Sequence, residues 1–211
     1  MSSLDEGRDR RTPPASPAGD GPEAEGDRPA PDVEALTFDV FGTVVDWRTP
    51  IVRAATALGQ RAGVEADWGE IADRWRDRYR PTLERVRSGE IPFRPLEELH
   101  RMALDEVLDE AEVEGLDAET RSELNRAWRR LEPWPDAVEG LQRLRRRYVV
   151  STLSNGNVGL LVAIAKSAGL PWDCVLSAQM ARTYKPGPEV YRTAAELLGL
   201  PAERIMMVAS H

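Results

Sequence analysis

The chain has 211 residues, 41% of them hydrophobic, enough for one α/β core that carries an inserted subdomain. A formal net charge of −8 and a pI near 5.0 leave no basic footprint for nucleic acid or an anionic membrane surface. No stretch approaches the roughly 20 apolar residues that span a bilayer, and the N-terminus lacks the apolar segment of a signal peptide, so a cytoplasmic protein is expected. The single cysteine, Cys174, excludes an internal disulfide; its apolar setting, Cys174-Val175-Leu176, reads as a structural thiol in a reducing compartment.

Residues 1–32 hold six of the sixteen prolines and almost no large apolar side chain, which predicts a disordered tail. Apolar runs at 34–40, 147–153, 174–177 and 204–209 read as buried strands, and helical patterns separate the last three. That alternation predicts a doubly wound parallel sheet. Between the first two strands the pattern is helical, with Ile71, Trp75, Tyr79, Leu83 and Val86 on one stripe and Leu124, Trp128 and Leu131 on another. The expected organisation is an α/β core built from 33–48 and 133–211, with a helical cap over 49–132. Asp136 and Glu139 form a capping-box pattern before a helix with Val138, Leu141 and Leu144 inward, and Pro188 and Gly199 bracket a later helix.

Four segments fall at the C-terminal ends of the expected strands: Asp39 to Thr43, Ser154-Asn155-Gly156-Asn157, Tyr184-Lys185-Pro186-Gly187-Pro188 with Tyr191, and Val208-Ala209-Ser210-His211. Open α/β sheets bind ligands at that edge. Asp39 can act as a carboxylate nucleophile toward carbon or phosphorus if a nearby cation keeps it ionised, and Lys185, one of two lysines among 26 arginines, is that cation. Ser154 and Asn155 precede a helix whose apolar face is Leu161, Ile164, Ala165 and Ala168, so a hydroxyl and free backbone N–H groups make an anion seat.

Together these motifs resemble the haloacid dehalogenase superfamily, and within it the type II, or L-2-haloacid, dehalogenases, over residues 33–211. The resemblance implies a Rossmann-like core with an inserted cap. It implies Asp39 as nucleophile, Thr43 as support for its turn, and Lys185 as the third-motif lysine. Ser154, Asn155 and Tyr191 become substrate-binding residues, and His211 takes a supporting place. Arg76, next to Trp75 on the cap, is similar to the family's arginine for halide or substrate. Phosphatases of the superfamily place a second acid two residues after the nucleophile to protonate an alkoxide. Here Phe41 stands there as an apolar wall, tolerable for a halide that leaves without a proton.

The implied activity is metal-free, hydrolytic dehalogenation of short (S)-2-haloalkanoic acids to 2-hydroxy acids through an aspartyl ester, with no cofactor. Two rivals stay open: a magnesium-dependent phosphatase of the same fold, and a catalytically inactive protein. The last is raised because the chain stops at His211, whereas the family continues with a further acid, sheet and helix, so a C-terminally truncated member is expected. The partner is the small-molecule substrate, with neither nucleic acid nor membrane, and a homodimer is expected by analogy.

Overall fold

A computed structural model describes residues 32–210. The expected disordered tail, but for Asp32, and His211 lie outside the described residues. The first strand, β1 (Ala35–Phe38), is buried along its whole length, as a strand covered on both faces of a parallel sheet must be. After it the chain turns through Gly42, whose φ of 84° lies in the left-handed region that glycine enters without strain. It then leaves the core through a two-residue strand, β2 (Val45–Asp46).

A long helical excursion follows: α1 (Arg48–Ala62), α2 (Trp68–Asp77), α3 (Tyr79–Arg87), α4 (Leu96–Glu110) and α5 (Ala118–Arg126), closed by a 3-10 turn over Ala127–Arg130. Asp67 and Asp117 start α2 and α5 by accepting the amides of Glu70 and Thr120. The stripe expected from Ile71 to Val86 spans two helices, because Pro81 has no N–H to carry the hydrogen-bond ladder past Arg78. The chain returns through β3 (Glu132–Pro133), antiparallel to β2 with Val45 opposite Pro133. Exit and return of the excursion are thus tied in a two-stranded ribbon that the sequence pattern did not predict.

The core resumes with α6 (Ala137–Leu144), β4 (Val149–Ser154), α7 (Val158–Ala168), β5 (Cys174–Ser177), α8 (Pro188–Leu198) and β6 (Ile205–Val208). The sheet order is β5-β4-β1-β6, all parallel, with Phe38 level with Thr152 on one side and Val208 on the other. Pro188 and Gly199 bracket α8 as expected. The capping box at Asp136 does not form: its backbone is already helical (φ −95°, ψ −9°), and its carboxylate makes no cap bond. Leu141 is the buried residue of α6, with Val138 and Leu144 half-buried.

One hydrophobic core runs from the sheet into the helical excursion. Its junction is Trp128, 1% exposed, whose ring lies 5.9 Å from Phe41, 6.1 Å from Trp47, 5.4 Å from Trp75 and 4.4 Å from His100. Among the described residues no helix is long and apolar enough to cross a membrane.

Candidate active site

Because the four long strands are parallel, their C-terminal ends share one edge. Asp39 is the first residue beyond β1, and its amide donates to the Val208 carbonyl at 2.9 Å, which fixes it between β4 and β6. Its carboxylate is gripped from both sides. Lys185 Nζ lies 3.0 Å from Oδ1, and the Thr43 hydroxyl is 3.2 Å from Oδ2. Both charged side chains are sheltered, at 13% and 11% exposure, so this ion pair escapes most of the screening that weakens surface pairs. The Ser210 amide donates to Thr43 Oγ1 at 3.1 Å, and the threonine hydroxyl has Asp39 Oδ2 and, at 3.3 Å, Ser210 Oγ as its acceptors, the carboxylate being the stronger. Lys185 is set by its own amide, which donates to Asn155 Oδ1 at 2.7 Å.

Above this pair opens a cavity of about 1110 Å³, lined on the core side by Asp39, Phe41, Asn155, Lys185, Tyr191 and Met207. From the helical side Arg76, Tyr79 and Leu83 face it. The Arg76 guanidinium stands 4.4 Å from the Tyr79 ring and 5.4 Å from the Trp47 ring. Its Nη1 is buried and has no partner among the described residues. Burial pulls the Arg76 group below its ordinary value, with Tyr79 and Asp39 opposing the shift.

The tyrosine of this wall, Tyr79, and the histidine behind it, His100, are neutral at physiological pH. Burial drives the Tyr79 phenol up to about 12 and, with Arg76 adding to it, pulls the His100 imidazole down to about 3. Tyr191, 39% exposed, is raised by burial first and by Asp39 second. Phe41 is 2% exposed and packs edge-on against Trp128, so the position two residues after Asp39 supplies no proton. Among the described residues, no three His, Cys, Asp or Glu side chains converge to hold a metal ion.

The expected anion seat is built differently from its sequence reading. Ser154 is fully buried, does not line the cavity, and accepts the Gly156 amide at 3.4 Å. Asn155 is the residue of that turn which reaches the cavity. The first amide of α7, Val158, is taken by Gln179 Oε1 at 2.9 Å. Gly156 sits in a tight place: a Cβ there would lie 2.9 Å from Leu161 Cδ2 and 3.2 Å from Phe41 Cε2, so those side chains would have to give way. His211 lies outside the described residues.

A model of the haloacid dehalogenase-like hydrolase family matches residues 33–209. The chain belongs to the haloacid dehalogenase-like hydrolases. It is 31% identical to (S)-2-haloacid dehalogenase 4A of Burkholderia cepacia, over 85% of this chain and 75% of that protein. A crystal structure of the defluorinating L-2-haloacid dehalogenase Rha0230 superposes with a TM-score of 0.83 at 44% identity, covering 85% of this chain and 74% of that one. The L-2-haloacid dehalogenase of Xanthobacter autotrophicus, with chloropropionic acid covalently bound, superposes with a TM-score of 0.73 at 27% identity, covering 84% and 70%. Within the family, the chain falls among the L-2-haloacid dehalogenases.

In this haloacid dehalogenase-like site the structure brings Asp39, Phe41, Thr43, Arg76, Asn155, Lys185 and Tyr191 together at one cavity, and leaves Ser154 behind the wall. Sequence reasoning missed Trp47 as a flank of Arg76. It placed Tyr79 only in the apolar stripe, although Tyr79 stands three positions after Arg76 across the α2–α3 junction, a spacing at which side chains meet in helical backbone. It also missed the polar ties between excursion and core. Asn157 Nδ2 donates to Glu97 Oε2 at 2.8 Å, and the Tyr184 hydroxyl donates to the Arg94 carbonyl at 2.5 Å.

Proposed function

We propose that this hydrolase removes halide from short (S)-2-haloalkanoic acids through an ester on Asp39, with the helical excursion acting as a cap. The observation that carries the reading is the juxtaposition across one cavity of a carboxylate held by Lys185 and Thr43 and a buried guanidinium with an unpartnered N–H. A carboxylate oxygen of Asp39 attacks the α-carbon from the face opposite the halogen. The carbon–oxygen bond forms as the carbon–halogen bond breaks, the electron pair leaves with the halide, and Arg76 receives the anion. Configuration inverts. Water then adds to the ester carbonyl, the acyl–oxygen bond breaks, and the 2-hydroxy acid leaves with regeneration of Asp39 and release of one proton.

Phe41 fits this chemistry, since a halide departs unprotonated while an alkoxide needs an acid. The turn at Asn155 is the seat for the substrate carboxylate. The covalent adduct in the Xanthobacter relative supports an ester in this chain. A cytoplasmic setting and a homodimer accompany the reading by analogy, the latter to be measured by light scattering.

The test is halide release from each enantiomer of 2-chloropropionate, with Asp39→Asn as control and circular dichroism to show that both proteins fold. Release from the S enantiomer alone, abolished in Asp39→Asn, is expected. A folded Asp39→Asn variant with unchanged initial activity sinks the nucleophile assignment.

A further inference from the structure

Between the nucleophile end of the cavity and the guanidinium end lies one side chain that touches the supports of both. Tyr79 offers its ring to Arg76 at 4.4 Å and its hydroxyl to Asn155 Nδ2 at 2.9 Å. The orientation of the Asn155 amide is dictated by chemistry: the Lys185 backbone N–H can only donate, so the amide oxygen faces it and the amide NH₂ faces Tyr79. The phenol oxygen is therefore an acceptor. A continuous chain of contacts runs from Arg76 through the Tyr79 ring and oxygen and the Asn155 amide to Lys185, which meets Asp39. The chain crosses from α3 to the strand edge, since Tyr79 belongs to the excursion and Asn155 to the turn after β4.

Arg76 has no carboxylate to fix it among the described residues; aromatic faces do so instead, Tyr79 at 4.4 Å and Trp47 at 5.4 Å. A guanidinium held by ring faces keeps its in-plane N–H groups for a ligand, whereas one held by a carboxylate spends them.

We infer that Tyr79 is a positioning residue with two separable functions: its ring orients Arg76 toward the departing halide, and its oxygen orients Asn155 at the substrate's carboxylate. The inference rests on the proposed dehalogenation. Two substitutions divide the functions. Tyr79→Phe keeps the ring and removes the oxygen; Tyr79→Gln keeps an oxygen acceptor and removes the ring.

Both are assayed with (S)-2-chloropropionate and (S)-2-bromopropionate, with circular dichroism to confirm folding. For Tyr79→Phe, KM should rise by about fivefold for both substrates, the worth of one hydrogen bond, while the bromide-to-chloride ratio of kcat stays at the wild-type value. For Tyr79→Gln, that ratio should rise by about fivefold, because a loosened guanidinium penalises the poorer leaving group more, and KM should stay closer to wild type than in Tyr79→Phe. If the two variants change KM and the halide ratio alike, or neither quantity moves in either variant, the inference is overturned. Wild type that releases neither halide overturns the reaction itself, and this inference with it.

Discussion

Mild acid should destabilise this protein through His100. The imidazole is 5% exposed, lies 4.4 Å from the Trp128 ring centre, and leaves its Nδ1 without a partner among the described residues. Burial, seconded by the Arg76 charge, brings its folded-state pKa to about 3 from an ordinary 6.5. Well above pH 6.5 the ring is neutral in both states and adds no pH dependence. Below it the unfolded chain takes up a proton that the folded chain refuses, so stability falls with pH until the folded ring titrates. Integrated from pH 7.5 to 5.0, that refusal costs about 2 kcal/mol.

Urea unfolding at those two pH values measures the effect, and His100→Leu removes the titrating group while filling a similar volume. Any packing penalty in the variant is the same at both pH values, and the carboxylates titrate in both proteins, so only the difference between the two pH-dependent losses matters. The variant should lose about 2 kcal/mol less than wild type on acidification. Equal losses would falsify the account of His100 as a ring kept neutral by burial.

Other expectations concern the site and its supports. Halide release should be unchanged in excess chelator, and activity that vanishes on chelation and returns with magnesium would favour the phosphatase reading. Gly156→Ala should destabilise by about 1–3 kcal/mol in thermal melts, because its Cβ would press on buried Leu161 and on Phe41; a melt unchanged from wild type would show that the turn has slack. Against the upward push of burial, hydrogen bonds from Arg129 and Asn157 hold the Glu97 carboxyl below its ordinary 4.5. The resulting stability is present above about pH 4.5 and lost as pH falls through the folded value. Asn157→Ala should therefore cost about 1–2 kcal/mol at pH 7 and flatten the acid limb below pH 4.5, both read from denaturant melts.

The parts legible in the sequence were those with a local signature. Strand ends announced themselves as apolar runs meeting Asp39, Ser154 or Val208, and one inference, that the strands are parallel, brought Lys185 to Asp39 across 146 residues of chain. The β2–β3 ribbon escaped because two-residue strands carry no periodicity. Asp136 looked like a cap because its spacing to Glu139 was right, but capping depends on a backbone angle that the residue type does not fix. Ser154 looked like a ligand because hydroxyls at helix starts often are, yet its place inside the strand end turns it inward. Tyr79 and Trp47 looked like packing residues; their second use appears only once Arg76 lies between them. The tie from Asn157 to Glu97 joins residues 60 apart with no common pattern.

Trp128 stands at the close of the helical excursion and packs on Phe41, two residues from Asp39. The helical wall of the cavity is therefore anchored by the same contact that shapes its core side. Swinging the helices away as a rigid flap would strip Phe41 of its neighbour and open the apolar interior to water.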